Sequence, residues 1–399
     1  MLLEGTEGYK MGPPGNREVI RTHSHFIDDL NVYQENHAKL EIANETIVQA
    51  RLDTGACYGV KKCAEIVFKR GKMIKGEGLS VIEEKMKALD PEQREIYKFL
   101  GCEQAEKIDM ERVMKRVKAE TEKRTNVLVQ QELYDKNLIK AINRTVIPVT
   151  GYVMNVCTFT KQKLDELDKA IKKILRDNKM HGKQASDERL YMRRENGGRG
   201  LKSMKDLYEE TKVRVACYMI HSESAWIKTA WRREFQKEGK SIKSEAEDAL
   251  REFGEDVQFC LDHIEIQGVA QAGDWRKIWK KLKKKIKERR EELRIEKYKS
   301  KTMQSEHYKG LDLESHQWLE YNIDARKVSA IINMQEQMIE TRGWKASRGL
   351  NVTTENCRLC DAHKETVMHI LSGCKVLAGS DYLKRHNNAL MVLTVEWAK

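Results

Sequence analysis

The sequence predicts an α+β protein that is mostly α. Three observations carry that prediction. Short apolar runs of strand length, separated by turn residues, fall within the first hundred residues or so. From about residue 105 onward, apolar residues recur at helical spacing. A Cys/His cluster near the C-terminus lies in a segment too short to make its own core, which calls for a metal. The resulting divisions are 1–104, a small mixed α+β unit; 105–235, helical; 236–345, a charged linker and basic helices; and 346–399, the cysteine-bearing region.

The first element is the stretch His23-Ser24-His25-Phe26-Ile27-Asp28-Asp29-Leu30-Asn31-Val32-Tyr33. It reads as strand, turn at the acidic pair, strand. Two carboxylates at a hairpin tip can hold a divalent cation that organises phosphates for in-line displacement; the alternative is a plain turn, which Asp favours for its own backbone bonding. Ala38 to Leu52 has helical periodicity and ends at Gly55. Ala64 to Phe68 reads as a strand followed by the basic turn Lys69-Arg70-Gly71-Lys72, and Ile96 to Gly101 as a further strand. In the helical part, Met110, Val113, Met114 and Val117 share a face. Ala141 to Ile147 runs up to Pro148, a stop. Thr160 caps a helix with the stripe Leu164, Leu167, Ile171, Ile174, Leu175. A glycine turn, Asn196 to Leu201, precedes Ser203-Met204-Lys205-Asp206, which resembles a capping box opening a helix to about Ile220. Residues 236 to 256 are charged and weakly periodic and read as a linker. A last helix spans about Ala325 to Thr341.

Composition narrows the partners. The chain has 399 residues, 40% hydrophobic and 34% charged, with a formal net charge of +12. Such a surface attracts polyanions, nucleic acid before acidic membrane. No apolar run approaches a membrane span, and the N-terminus is too short and too acidic for a signal peptide. Six of the nine cysteines are scattered singly. The odd count argues for a reducing, intracellular compartment, nucleus or cytoplasm, and for metal rather than disulfides.

The other three cysteines form the sharpest motif. Cys357, Cys360, His369 and Cys374 have the spacing C-x2-C-x8-H-x4-C. Three Cys and one His make a closed, structural zinc set. His363 is a competing fourth ligand; His369 is preferred because its separation from Cys360 lets the loop reach around the ion. The second charged motif is Trp275 to Arg290, with 10 Lys/Arg among 16 residues and Trp275, Trp279, Leu282 and Ile286 on one face. Lys280, Lys281 and Lys284 can lie on a phosphate backbone. The alternatives are a surface helix with solvated lysines and a nuclear-import patch.

Several segments resemble, in order, the reverse transcriptase of non-LTR (LINE-type) retrotransposons. Phe26-Ile27-Asp28-Asp29 resembles the aromatic-x-Asp-Asp box of the polymerase palm. Gly59-Val60-Lys61-Lys62-Cys63-Ala64 resembles the palm motif that follows, and Tyr97-Lys98-Phe99-Leu100-Gly101 the primer-grip hairpin. Ile142-Asn143 through Ile147-Pro148-Val149 resembles the thumb helix and its proline stop. Arg189-Leu190-Tyr191 with Gly197-Gly198-Arg199-Gly200-Leu201 resembles a stretch just after the thumb. The Cys-Cys-His-Cys set, then Leu377 to Tyr382 and Arg385-His386, resembles the C-terminal knuckle of elements that carry a restriction-like endonuclease farther downstream. Apart from the zinc set, no box is specific alone; the specificity lies in six of them in order.

The resemblance implies a partial palm over 1–104, a thumb and connector over 105–235, and a zinc knuckle over 346–399. It implies that Asp28 and Asp29 are the palm carboxylates beside Mg²⁺, Asp28 the direct ligand. Lys62 would assist pyrophosphate departure, and Tyr97, Leu100 and Gly101 would back the primer terminus. Arg199 and the lysines of the basic helix would contact RNA template and DNA primer or target.

The chain also departs from the family. Two-metal chemistry needs carboxylates from two palm strands, but residues 1 to 27 hold Glu4, Glu7 and Glu18 and no aspartate. The fingers and the glycine-bearing motif before the hairpin are missing, and Lys61 stands where relatives often carry Asp or Asn. The expectation is a piece of a larger polyprotein, or a decayed copy, that does not polymerise by itself. The other readings are a nucleic-acid-binding protein without chemistry, an unrelated metal-dependent phosphotransferase, and a basic helical scaffold for proteins.

Overall fold

A computed structural model of the chain describes residues 8–11, 19–26, 29–55, 59–81, 84–271, 273–300 and 314–397. Helices dominate and the strands form small pairs, the α+β, mostly α class that the sequence predicts.

Strands β1 (Tyr9–Met11) and β2 (Val19–Arg21) pair antiparallel. The acidic hairpin follows as β3 (His23–Phe26) and β4 (Asp29–Val32), with Phe26 opposite Asp29 and His23 opposite Val32. Tyr33 closes its open end: its N–H donates to Thr22 O at 2.8 Å, and its hydroxyl lies 2.8 Å from Ser24 Oγ. Helix α1 (His37–Thr54) starts where the Asn36 side chain accepts from Lys39 N–H and stops at Gly55, whose φ of 69° needs no Cβ.

The strand expected over Ala64–Phe68 is two short ones. β5 (Ala64–Glu65) and β6 (Val67–Lys69) part at Ile66, and β6 turns back through the basic residues into β7 (Lys72–Ile74). The break has a physical reason. Glu65 is buried, its carboxylate accepts the Gly78 N–H at 2.7 Å, and it lies 2.7 Å from His37 Nδ1. Strands β8 (Ser80–Val81) and β9 (Glu84–Lys85) pair with each other, and β10 (Lys87–Ala88) pairs parallel with β5. The expected strand Ile96–Gly101 is shorter. β11 (Tyr97–Phe99) ends at a turn in which Leu100 (φ 44°) and Gly101 (φ 77°) are both left-handed, and the chain returns as β12 (Cys102–Gln104). Two consecutive positive φ values are what a tight two-residue hairpin demands.

Helix α2 (Met110–Val129) opens the helical part. α3 (Asp135–Ala141) continues through a π-type turn at Ile142–Val146 into α4 (Pro148–Gly151) and α5 (Val153–Val156). Pro148 therefore does not stop the chain from being helical. It sits in the first turn of α4, where its missing N–H has no partner to lose. α6 (Lys161–Asp177) has its predicted cap, Thr160 Oγ1 accepting from Lys163 N–H at 3.3 Å, and all five residues of its stripe are buried. After α7 (Asp187–Tyr191) and the glycine turn, Ser203 Oγ accepts from Asp206 N–H at 3.1 Å and starts α8 (Met204–Ile220). α9 (Ala225–Gln236) follows.

The stretch read as a linker is instead mostly helix, α10 (Ile242–Glu252). It is fixed by a reciprocal Ser241–Ser244 capping box and packed on α8 through Ala246, Ala249 and Leu250. A three-stranded antiparallel meander comes next, β13 (Val257–Phe259), β14 (Ile264–Ile266) and β15 (Val269–Gln271). The basic segment is the long helix α11 (Trp275–Lys299). α12 (Ala325–Gln335) and α13 (Arg342–Ala346) precede the cysteine cluster, and α14 (Leu383–Trp397) follows it. The helix expected over Ala325–Thr341 stops at Gln335, and Gln337 takes a left-handed φ of 54°.

The chain forms two compact units. One comprises Met1–Lys123, Thr145–Asp168 and Ser203–Arg290; the other comprises Arg124–Arg144, Lys169–Lys202 and Glu291–Lys399. The first contains the acidic hairpin and a small core of Val60, Leu79, Val81 and Met86 with Leu40 and Val48 against it. The second contains the cysteine cluster and a core of Ala185, Leu319, Val328 and Ile332.

Candidate metal centre and nucleic-acid surface

The cysteine cluster is built on a tight turn. Cys357 N–H donates to His363 O at 2.7 Å, Asp361 N–H to Cys357 O at 2.8 Å, and Glu365 N–H to Glu355 O at 2.8 Å. This brings Cys357 and Cys360 to the same side. The π-type turn His369–Gly373 then carries His369 and Cys374 onto the other side. The four ligand atoms of Cys357, Cys360, His369 and Cys374 lie within 4.8 Å of one another. Cys357 Sγ and Cys374 Sγ are 4.0 Å apart, and Cys360 Sγ is 3.3 Å from His369 Nε2. Thiolates on a tetrahedral zinc stand about 3.8 Å apart, and a thiolate and an imidazole nitrogen about 3.5 Å apart, from the usual bond lengths. Two of the ligand pairs therefore already stand at about the spacing that a metal ion demands, and the group as a whole could hold one.

The surroundings hold these ligands in place. Tyr382 hydroxyl accepts from Cys374 N–H at 3.0 Å and donates to Ile370 O at 2.8 Å. Thr366 Oγ1 accepts from His369 N–H at 3.0 Å. Glu365, fully buried, accepts from Arg358 Nε at 2.8 Å, Arg358 N–H at 3.0 Å and Arg342 N–H at 2.9 Å. Hydrogen bonds from Arg358 above all hold its carboxyl down at about 2. The Ala362 N–H and then the His369 ring hold the Cys360 thiol down at about 6, so the thiolate a metal needs is favoured. Of the two candidate fourth ligands, His369 is in the cluster. His363 is exposed, its ring centroid 5.6 Å from that of His369, and it contributes its carbonyl to the turn.

At the acidic hairpin, Asp28 lies outside the described residues, and Asp29 begins β4 with its side chain exposed. Asp29 belongs to no group of three or more metal-ligating side chains among the described residues. Its charge reaches the β11–β12 hairpin. Burial first, then the Cys63 thiol and the Asp29 carboxylate, push the Tyr97 pKa up. Tyr152 has its pKa raised by burial and then by Cys102 and Asp29, and its ring borders Gly101. The Asp29 charge is thus felt at Tyr97 and at Tyr152, and Tyr152 borders Gly101. Leu100 is half-buried beside Gly101 at the hairpin tip, and Lys62 is exposed on the 3-10 turn Val60–Lys62. Tyr152 was not legible as part of this group, because nothing local links a residue after Pro148 to a hairpin fifty positions earlier.

The basic helix separates its two faces as its pattern demands. Ile278, Leu282 and Ile286 are buried, Trp275 and Trp279 are half-buried, and Lys280, Lys281 and Lys284 are exposed. Lys283 and Lys285 are drawn into ion pairs with Glu210 and Glu255. Lys280 and Lys281 are left facing solvent.

Arg199, expected to contact nucleic acid, is a correction. It is 1% exposed. Its Nε donates to Asp135 Oδ1 at 2.8 Å and its Nη1 to Met180 O at 2.5 Å. Asp135 is equally buried and also accepts from Arg194 Nη2 at 2.7 Å. The guanidinium neutralises a buried carboxylate and has no face to offer a phosphate.

No helix among the described residues is long and apolar enough to cross a membrane. No family model matches the chain, and no curated protein matches it.

Proposed function

We propose that the chain is part of a reverse transcriptase of the non-LTR retrotransposon class: a palm hairpin, thumb, connector and zinc knuckle that bind an RNA template with a DNA primer or target. The observation that carries the reading is the succession of six family-like segments in family order, from Phe26-Ile27-Asp28-Asp29 to Cys374. That the Asp29 charge is felt at Tyr97 supports it, since a palm carboxylate and a primer grip must face one duplex end. The exposed lysines of α11 support affinity for a phosphate backbone without sequence reading.

The ion of the cysteine cluster is zinc, because three thiolates and one imidazole in a closed tetrahedron suit it. A knuckle of this kind grips single-stranded nucleic acid or a phosphate backbone. Mg²⁺ belongs at Asp28 and Asp29 only when a further carboxylate joins them. The reading therefore has the chain, assayed by itself, bind template-primer and not extend it. Other domains of the polyprotein are its natural partners, inside the cell, in nucleus or cytoplasm.

The test pairs two assays on the full chain: anisotropy with a recessed RNA-template/DNA-primer duplex, and primer extension in Mg²⁺. Binding without extension is expected. Template-dependent incorporation that disappears in Asp28→Asn would overturn the inactivity, and no binding would overturn the reading as a whole. One observation favours a second reading, a nucleic-acid-binding protein without chemistry: Asp29 stands outside any ligand group among the described residues. Under it, Mg²⁺ changes nothing in the wild type relative to Asp28→Ala.

A further inference from the structure

A second donor cluster lies on the meander, in the unit without the cysteine knuckle. Cys260 follows β13, His263 precedes β14, and Glu265 is its middle residue. Their ligand atoms lie within 4.8 Å of one another. We propose that Cys260 Sγ, His263 Nε2 and Glu265 carboxylate form a second metal site, for a borderline divalent cation of the zinc type, with the fourth position open to water. It does not depend on the polymerase reading.

Three features make it more than a surface ion pair. The imidazole is pre-oriented: Nδ1 is 2.7 Å from Asp262 Oδ1, which leaves Nε2 on the Glu265 side, 3.0 Å from Oε1. A carboxylate behind a ligating imidazole is the arrangement that fixes its tautomer and raises its basicity. The backbone is also held on both sides of the turn. Cys260 N–H donates to His263 O at 3.0 Å, and the indole of Trp231, itself buried, donates to Cys260 O at 3.0 Å. Finally, the donors are of three kinds. A thiolate, an imidazole and a carboxylate together select zinc-like ions, whereas Mg²⁺ and Ca²⁺ want oxygen alone. Tetrahedral ligands stand about 3.3 to 3.6 Å apart, so closure needs inward movement of about 1 Å by side chains that are half-exposed. Three protein ligands and an open position are the pattern of a reactive zinc, in contrast to the closed set at Cys357.

The experiment uses the full chain stripped by a chelator, titrated with Zn²⁺ by equilibrium dialysis with elemental analysis, and separately with Co²⁺ by absorption. Two zinc ions per wild-type chain are expected, and one in Cys260→Ser and in His263→Ala, each checked for wild-type helix content by circular dichroism. Asp262→Asn keeps both ions but weakens the second about 10- to 100-fold. The Co²⁺ spectrum loses one thiolate charge-transfer contribution in Cys260→Ser. A wild-type stoichiometry of one, or two ions retained at unchanged affinity in Cys260→Ser, overturns the proposal.

Discussion

Arg199→Met separates a structural arginine from a nucleic-acid contact. In the wild type, Asp135 is 1% exposed and its two oxygens are taken by Arg199 and Arg194. Methionine keeps the volume and removes the charge. It leaves Oδ1 of a buried carboxylate and the Met180 carbonyl without their donors. Breaking a buried pair from one side costs about 3–5 kcal/mol; because Arg194 still holds Oδ2, the lower part, about 3–4 kcal/mol, applies. For a unit of this size, at about 2–4 °C per kcal/mol, the melting temperature falls by about 6 to 16 °C. The assay is thermal unfolding by circular dichroism with urea titration beside it. Duplex affinity, measured well below the lowered transition, stays unchanged. A loss under about 1 kcal/mol, or weakened binding with stability intact, would refute the burial argument and restore Arg199 to the surface.

Other predictions follow from the same contacts. Under the zinc proposal, chelation or Cys374→Ser unfolds the knuckle locally, because metal binding contributes about 10–16 kcal/mol in segments of this type; amide exchange across 355–382 rises to free rates while α8 stays protected. Acid sensitivity has two windows in the second unit. Burial lowers the His181 pKa, so the unfolded state takes up a proton first and stability falls as pH drops below about 6.5. Asp187, depressed against its burial by His181, Lys172 and Arg176, contributes stability above about pH 3.9 that is lost as pH falls toward its lower native value. His181→Gln removes the first window from a pH-stability curve and narrows the second, because Asp187 loses the His181 contribution but keeps Lys172 and Arg176. In the glycine turn, Gly198→Ala puts a Cβ 2.0 Å from Met192 O and destabilises by more than about 3 kcal/mol, whereas Gly200→Ala meets nothing within 4 Å and costs only the left-handed strain of about 1–2 kcal/mol. Equal losses in the two variants by urea titration would contradict the packing around that turn.

What was legible followed local rules. The metal cluster needed only ligand spacing, and His369 over His363 needed only loop reach. The acidic hairpin, α1 with Gly55, and the caps at Thr160 and Ser203 are written in adjacent residues. What failed was non-local or disguised. Arg199 sits in a glycine turn that looks exposed, and its partner Asp135 is 64 positions away. Residues 236 to 256 looked like a linker because they are charged and carry Gly239 and Gly254, while most of what α10 buries is small, Ala246 and Ala249 beside Leu250. Cys260 looked solitary because its companions are a histidine and a glutamate on the far side of a β-turn.

The proposal that this chain binds a nucleic-acid duplex, its basic helix included, is tested most directly by the salt dependence of its affinity for an RNA–DNA duplex. Each neutralised phosphate contributes about 0.7–0.9 to the slope of log affinity against log salt. The account predicts a steep slope for the wild type, shallower by about 2 to 3 when Lys280, Lys281 and Lys284 are all changed to Ala, with the fold unchanged. A slope near zero in the wild type, or the same slope in both proteins, would contradict it.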